Sequence, residues 1–349
     1  MTACSRTSPP VAATQTPAAQ PVAMAAKTRN VTFLSTSDCH YKAFESADWN
    51  AMNAETIREM NQVAALRWPE KLGDGEIRPP RGVVVLGDGI DDGDKVLQGR
   101  DYTAEQYQAF LADFGLDGTD GVLKFRVYET WGNHDGPPAG TGKSALSFQA
   151  ELKKRNALRQ ERGWLANRSA GGLHYSWDWD DVHLVSLGFY PADRQNPKVR
   201  YSPQWHDPQG ALEFLKQDLE KCVGTSGRPV ILMSHAGFDT DWWMAEDWKA
   251  AYDAAKPYNV ILYLYGHTGT GLRDWVPEGE SRKWTCINDG NTTAGFFVIR
   301  VRGDRLRAAY RCKESVKITK NADKTVTREW AGQWKWTELL DRKIAAAAR

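Results

Sequence analysis

The chain has 349 residues, 41% of them hydrophobic, enough to build a sizeable core in one large α/β domain. Lys and Arg total 45 against 44 Asp and Glu, so no global charge draws the protein to nucleic acid, and any anion site must be local. The five Cys show no Cys-x-x-Cys spacing, which argues against a structural zinc site, and no apolar run of about 18 residues predicts a transmembrane helix.

In chain order, the first 26 residues carry Arg6 as their one charge and consist mainly of Ala, Pro, Thr and Ser. Such a stretch cannot bury a core, so residues 1–29 are expected to be a disordered linker and residues 30–349 a single domain. Met1-Thr2-Ala3-Cys4 resembles the end of a bacterial lipoprotein signal, although the apolar run that precedes such a cysteine is absent. Two expectations stay open: the cell envelope or periplasm, with membrane association only through an N-terminal lipid anchor, or an ordinary cytoplasmic tail.

Past residue 30, short apolar β-branched runs alternate with longer amphipathic stretches, the pattern of an α/β domain. The pattern predicts strand 31–36, helix 49–66, strand 82–86, helix 104–114, strand 123–128 and helix 144–161. Strands 174–179 and 182–187, helix 210–221, strand 230–234 and helix 241–255 follow, then strands 260–265, 284–288, 295–301 and 305–310. Leu212, Leu215 and Leu219, with Phe214 beside them, recur at helical spacing and mark one buried face. Residues 188–209 are rich in Pro and lack periodicity; a loop that long in a compact domain is usually functional or disordered. Cys286 and Cys312 fall on neighbouring late strands of this scheme, where an oxidising compartment could join them.

Five apolar runs each deliver polar residues at the carboxyl end: Asp38 and His40, Asp88, then Asn133, His134 and Asp135, then His235, then His267. In an α/β sheet that edge is where loops converge over a rigid support and sites form. Carboxylate, imidazole and one amide oxygen, without a thiolate, are the donors two divalent metals take, compatible with Mn, Fe or Zn. Asp88 is the natural bridge, because one carboxylate can hold two ions about 3.5–4 Å apart.

Asp38-Cys39-His40, Gly87-Asp88-Gly89-Ile90-Asp91, Gly132-Asn133-His134-Asp135, His235 and Gly266-His267 together resemble the calcineurin-like metallophosphoesterase family, over roughly residues 30–300. The resemblance implies a four-layer α-β-β-α sandwich, two mixed sheets flanked by helices. It implies a first metal held by Asp38, His40 and Asp88, and a second held by Asp88, Asn133, His235 and His267. His134 would serve the leaving oxygen as catalytic acid, with Asp91 and Asp135 orienting it or the ligands. The family's last motif is Gly-His-x-His, whereas this sequence reads Gly266-His267-Thr268-Gly269. The first metal therefore lacks a ligand, for which Asp289, Asn291, His206 or a water are the candidates, and one site is expected to be weak.

Gly140-Thr141-Gly142-Lys143-Ser144 imitates a phosphate-cradling loop, but the required first Gly is Pro137, which has no N–H to donate. Lys143 and Ser144 are assigned instead to the start of a helix. Cys39, between two ligands, is expected to point away from them; His174 and His183 read as structural histidines, and Asp92 and Asp94 as a solvated turn. The reaction implied is metal-dependent hydrolysis of a phosphomonoester or diester. Tyr190, Tyr201, His206, Trp242 and Trp243 lie in segments that follow site elements, and they are candidates to wall a pocket for a bulky organic or lipid-like small molecule. A small-nucleotide phosphohydrolase and a Trp-rich envelope binding protein with a degenerate metal site are the alternatives. No basic stripe with interleaved aromatics suggests a nucleic-acid partner.

Overall fold

Two β-sheets meet face to face across an apolar layer in which Phe33, Leu86, Trp177, Leu184, Leu264 and Phe297 are buried. The Tyr128 and Trp177 rings stack across it with centroids 4.4 Å apart. The computed structural model describes residues 29–43, 47–73, 75–93, 95–136, 144, 146–192, 210–238, 245–323 and 325–344. The first half contains β1 (Asn30–Thr36), α1 (Ala47–Gln62), β2 (Val83–Val85), β3 (Val96–Leu97), β4 (Arg100–Asp101), α2 (Thr103–Phe114), β5 (Val127–Glu129) and α3 (Phe148–Glu161). Then come β6 (Asn167–Arg168), β7 (Tyr175–Trp179), β8 (Val182–Ser186), α4 (Ala211–Asp218), β9 (Pro229–Met233), α5 (Ala245–Ala255) and β10 (Asn259–Tyr265). The chain ends through β11 (Thr270–Trp275), β12 (Trp284–Asp289), β13 (Gly295–Arg302), β14 (Arg305–Lys313), β15 (Lys317–Lys320), β16 (Val326–Glu329) and β17 (Trp334–Lys343).

One sheet has the order β17-β14-β13-β1-β2-β5 and the other β11-β12-β10-β9-β8-β7-β6. Both are mixed: β1, β2 and β5 run parallel, as do β8, β9, β10 and β12, while antiparallel strands flank them. Alternation assigns the faces. Val84 belongs to the layer between the sheets, whereas Val83 and Val85 belong to the outer core with Ile57 of α1, Phe110 of α2 and Leu152 of α3. On the second sheet Leu232 and Tyr263 share that outer core with Leu215 of α4 and Trp248 of α5. A strand covered on both faces reads as a continuous apolar run, as Val83–Val85 does. The expected four-layer arrangement of two mixed sheets with flanking helices is therefore present.

Several boundaries differ from expectation. α3 starts at Phe148, with Ser147 as its N-cap accepting from the Ala150 amide at 3.3 Å; Ser144 lies before the helix and bonds Asp101 at 2.7 Å. Lys143 is outside the described residues. α4 passes into a π-turn over Leu219–Val223, and its buried face is Ala211, Phe214, Leu215 and Asp218, with Leu212 only half-buried. β11 and β17 differ from expectation because both are edge strands, half-buried to exposed and without clear alternation. Cys286 and Cys312 are free thiols on β12 and β14, in different sheets and different apolar clusters, so the pairing left open by the sequence is not formed. Among the described residues no helix is long and apolar enough to cross a membrane.

Candidate metal centre

The carboxyl ends of β1, β2, β5, β9 and β10 converge at one edge of the two sheets. The β1 and β2 loops run on side by side past their strands, with the Asp38 amide donating to Gly87 O at 3.1 Å and the His40 amide to Asp88 O at 2.9 Å. Asp38, His40, Asp88 and His267 all have positive φ, at 51°, 47°, 51° and 71°. Side chains other than glycine seldom take that conformation, and such strain concentrates where surrounding structure over-determines a functional residue. Two motif glycines have a steric cause. A Cβ on Gly132 would overlap the carboxylate and amide of Asp88, and one on Gly266 would overlap Ser37 Oγ and crowd the Asp38 carboxylate.

These loops gather Asp38, His40 and Asp88 into one cluster and Asp88, His235 and His267 into another, each with donor atoms within 4.8 Å of one another. Asp88 belongs to both. His235 Nε2 lies 3.2 Å from Asp88 Oδ2 and 3.0 Å from Asn133 Oδ1, which brings the amide into the second cluster. His235 Nδ1 stands 2.6 Å from Leu86 O; a carbonyl only accepts, so Nδ1 carries the proton and Nε2 faces the carboxylate. Cys39 is buried away from the cluster with its thiol 3.2 Å from the Thr292 hydroxyl, as alternation requires, and burial pushes the thiol up well beyond its ordinary value.

Asp38 and Asp88 are 5% and 1% exposed, and among the described residues no Lys or Arg pairs with either. Burial opposes their ionisation, yet the imidazoles of His40 and His235 hold both below the usual carboxylate range. The histidines respond in kind. Burial works against a charged His40, but the neighbouring carboxylates of Asp38, Asp91 and Asp88 raise it to about 10. Burial likewise opposes a charged His235, which Asp88 raises to about 9. Burial and the neighbouring His235 push His267 down to about 4, leaving a neutral imidazole with a lone pair to donate. Two buried carboxylates opposed only by imidazoles, with an amide oxygen beside them, form a donor set that suits divalent cations.

Asp91 is more central than its motif position indicated. Its carboxylate lies 3.0 Å from His40 Nδ1 and also holds Lys42, and its carbonyl accepts from His134 Nδ1 at 2.8 Å. Lys42 itself escaped sequence reasoning; its place two residues after His40 was the available signal. The His134 ring stands edge-on to that of His40 at 4.5 Å, 36% exposed at the rim. Asp135 has a different place from the one expected: its carboxylate accepts from the Ile90 amide at 3.0 Å and the Gly132 amide at 2.8 Å, bracing backbone rather than His134. Burial and the charge of Asp88 push Asp135 up to about 8, against the pull of those two N–H groups.

Asp289 belongs to neither cluster; it is fully buried and accepts the Ser35 hydroxyl, while Asn291 is exposed. Asp289 Oδ1 has no hydrogen-bond partner among the described residues. Tyr190 is 1% exposed and packs on Phe189, so it belongs to the core rather than to an open pocket wall. Tyr201, His206, Trp242 and Trp243 lie outside the described residues. His183 has the structural role expected, between Asp178 and Asp218 at 2.7 Å each. His183, Asp218 and Cys222 form a further donor group, but Asp218 there already accepts from Ser176 at 2.6 Å and Asn167 at 3.0 Å.

A sandwich of two mixed sheets with Asp and His donors at the ends of its parallel strands defines the metallophosphoesterase class of folds. The chain belongs to the calcineurin-like phosphoesterase family, which matches residues 31–270. Family membership supports metal-dependent phosphoester hydrolysis in general. The chain is similar to the GAP50 anchor in the inner membrane complex of Plasmodium, at 12% identity over 82% of this chain and 85% of that one, with a TM-score of 0.46. It is also similar to the TT1561 protein of Thermus thermophilus, at 12% identity over 79% and 95% of the two chains, with a TM-score of 0.39. No curated protein matches the chain.

Proposed function

We propose that this protein hydrolyses a phosphoester of a small organic molecule at a dinuclear divalent metal centre bridged by Asp88. The observation that carries this reading is the pair of donor clusters sharing one buried carboxylate. Asp38, His40 and Asp88 would hold one cation, and Asp88, His235, His267 and Asn133 Oδ1 the other. Two such cations, when bound, clamp the phosphate oxygens and acidify the attacking water. His134, with Nδ1 committed to Asp91 O, has Nε2 left to hand a proton to the departing alcohol oxygen from its imidazolium form. Asp91 fixes both that ring and His40, so positioning of the acid and of one metal ligand depends on the same residue. No step requires a protein nucleophile.

The test is hydrolysis of a chromogenic phosphomonoester and the matching diester by chelator-treated protein, with Mn, Zn, Fe or Ca restored in turn. Turnover that returns with metal and is absent in Asp88→Asn supports the reading, and the ratio of the two esters assigns the substrate class. Metal-restored turnover that survives Asp88→Asn would overturn it.

A further inference from the structure

A cavity of about 700 Å³ opens on the outer side of the second sheet, between α5 and the end of β11. Its apolar wall is a set of three rings. Phe238 and Trp275 stack at 4.5 Å and 15°, and Trp248 stands nearly perpendicular to both, at 5.5 and 5.9 Å. Phe238 leaves the turn after His235, Trp275 ends the strand that follows His267, and Trp248 comes from α5. The wall is thus assembled from three separate segments.

Among the described residues the uncompensated charge around this wall is negative. Glu246 and Glu278 line the cavity and are exposed, and among the described residues no cation pairs with either. Lys249 also lines it, but its ammonium is committed to Asp253 at 2.7 Å and Glu280 at 3.1 Å. An anion entering the cavity would meet two uncompensated carboxylates, and a neutral apolar group would leave them unused. A cation with an apolar body gains from both features, because aromatic faces carry a negative quadrupole and carboxylates add longer-range attraction.

We propose that this cavity binds an organic ammonium ion bearing an alkyl or aryl group, with the apolar part against Phe238, Trp248 and Trp275 and the cationic head near Glu246 and Glu278. The proposal goes beyond the hydrolase reading and stands without it, since binding is read directly and needs no turnover.

The test is calorimetric titration of the intact protein with three benzyl compounds that differ in charge: benzyltrimethylammonium, benzyl alcohol and phenylmethanesulfonate. The cation is expected to bind, and the alcohol and the sulfonate to bind at least roughly tenfold more weakly. Glu246→Gln combined with Glu278→Gln, both at exposed positions, is expected to weaken the cation roughly tenfold and to flatten its salt dependence. Trp275→Leu is expected to remove binding in protein whose circular dichroism is unchanged. Equal affinity for the alcohol and the ammonium ion, cation binding unaffected by the double Glu variant, or no binding of the cation to the wild-type protein would each overturn the proposal.

Discussion

The backbone amide of His134 donates to Asp88 Oδ1 at 2.8 Å. The residue proposed to protonate the leaving group is thereby tied to the carboxylate that both donor clusters share, and a shift of one moves the other. Asp91 adds a second tie, through its carbonyl to His134 and its carboxylate to His40.

Asp91→Asn should therefore disturb a metal ligand without removing one. Partners that orient ligating histidines are worth about 10–100-fold in metal affinity. A loss of that size is expected for one of two Mn(II) equivalents, with the His235 cluster unaffected, in titrations of chelator-treated protein. Two unchanged equivalents would sink the idea that Asp91 holds His40 in place.

Metal binding should release protons and tighten as pH rises. In the absence of a cation His40 is raised to about 10 and His235 to about 9, so both imidazoles are protonated at neutral pH and must lose that proton to ligate. Mn(II) affinity is expected to increase from about pH 6.5 to about pH 8.5, and calorimetry in buffers of different ionisation enthalpy should report proton release. A pH-independent affinity would contradict this account.

Gly132→Ala should lose metal binding as well as stability. Its Cβ would overlap Asp88, and relieving that contact costs about 1–3 kcal/mol and displaces the shared carboxylate. Gly99 is the control: unlike Gly132 it has positive φ, at 79°, but a Cβ there meets nothing within 4 Å. Gly99→Ala is expected to carry only the backbone strain, about 1–2 kcal/mol, and to bind metal normally. Equal metal affinity in the two variants would argue against the steric account.

His183 should contribute stability in acid that fades in alkali. Burial opposes its charged form, but hydrogen bonds to Asp178 and Asp218 prevail and raise its pKa above the ordinary value. A group raised in the folded state stabilises fully below its unfolded pKa, and that contribution is lost as pH rises through the folded value. His183→Gln is expected to cost about 3 kcal/mol below pH ~6.5, shrinking at alkaline pH. Urea unfolding at about pH 6 and about pH 9 measures the difference; an equal penalty at both would refute the charged assignment.

Much of the centre was legible because it depends on short, local signals. Each ligand follows an apolar run, and Gly87, Gly132 and Gly266 each stand directly before one. The role of Asp135 was misplaced because its partners, the Ile90 and Gly132 amides, become neighbours only when two loops meet. Tyr190 misled for a similar reason: an aromatic residue beside a site element reads the same whether it lines a pocket or fills the core.

The sequence by itself determined where the strands that carry the donors lie, to within a few residues, and which donor types follow them, because apolar runs and chain-local chemistry leave marks within a few residues. Tertiary structure alone decided that Asp91 reaches both His40 and His134 while Asp135 braces the Ile90 and Gly132 amides, that Cys286 and Cys312 lie in different sheets, and that Phe238, Trp248 and Trp275 form one wall. These are relations between segments far apart in the chain, set by how the sheets stack and the loops converge, and no local pattern records them.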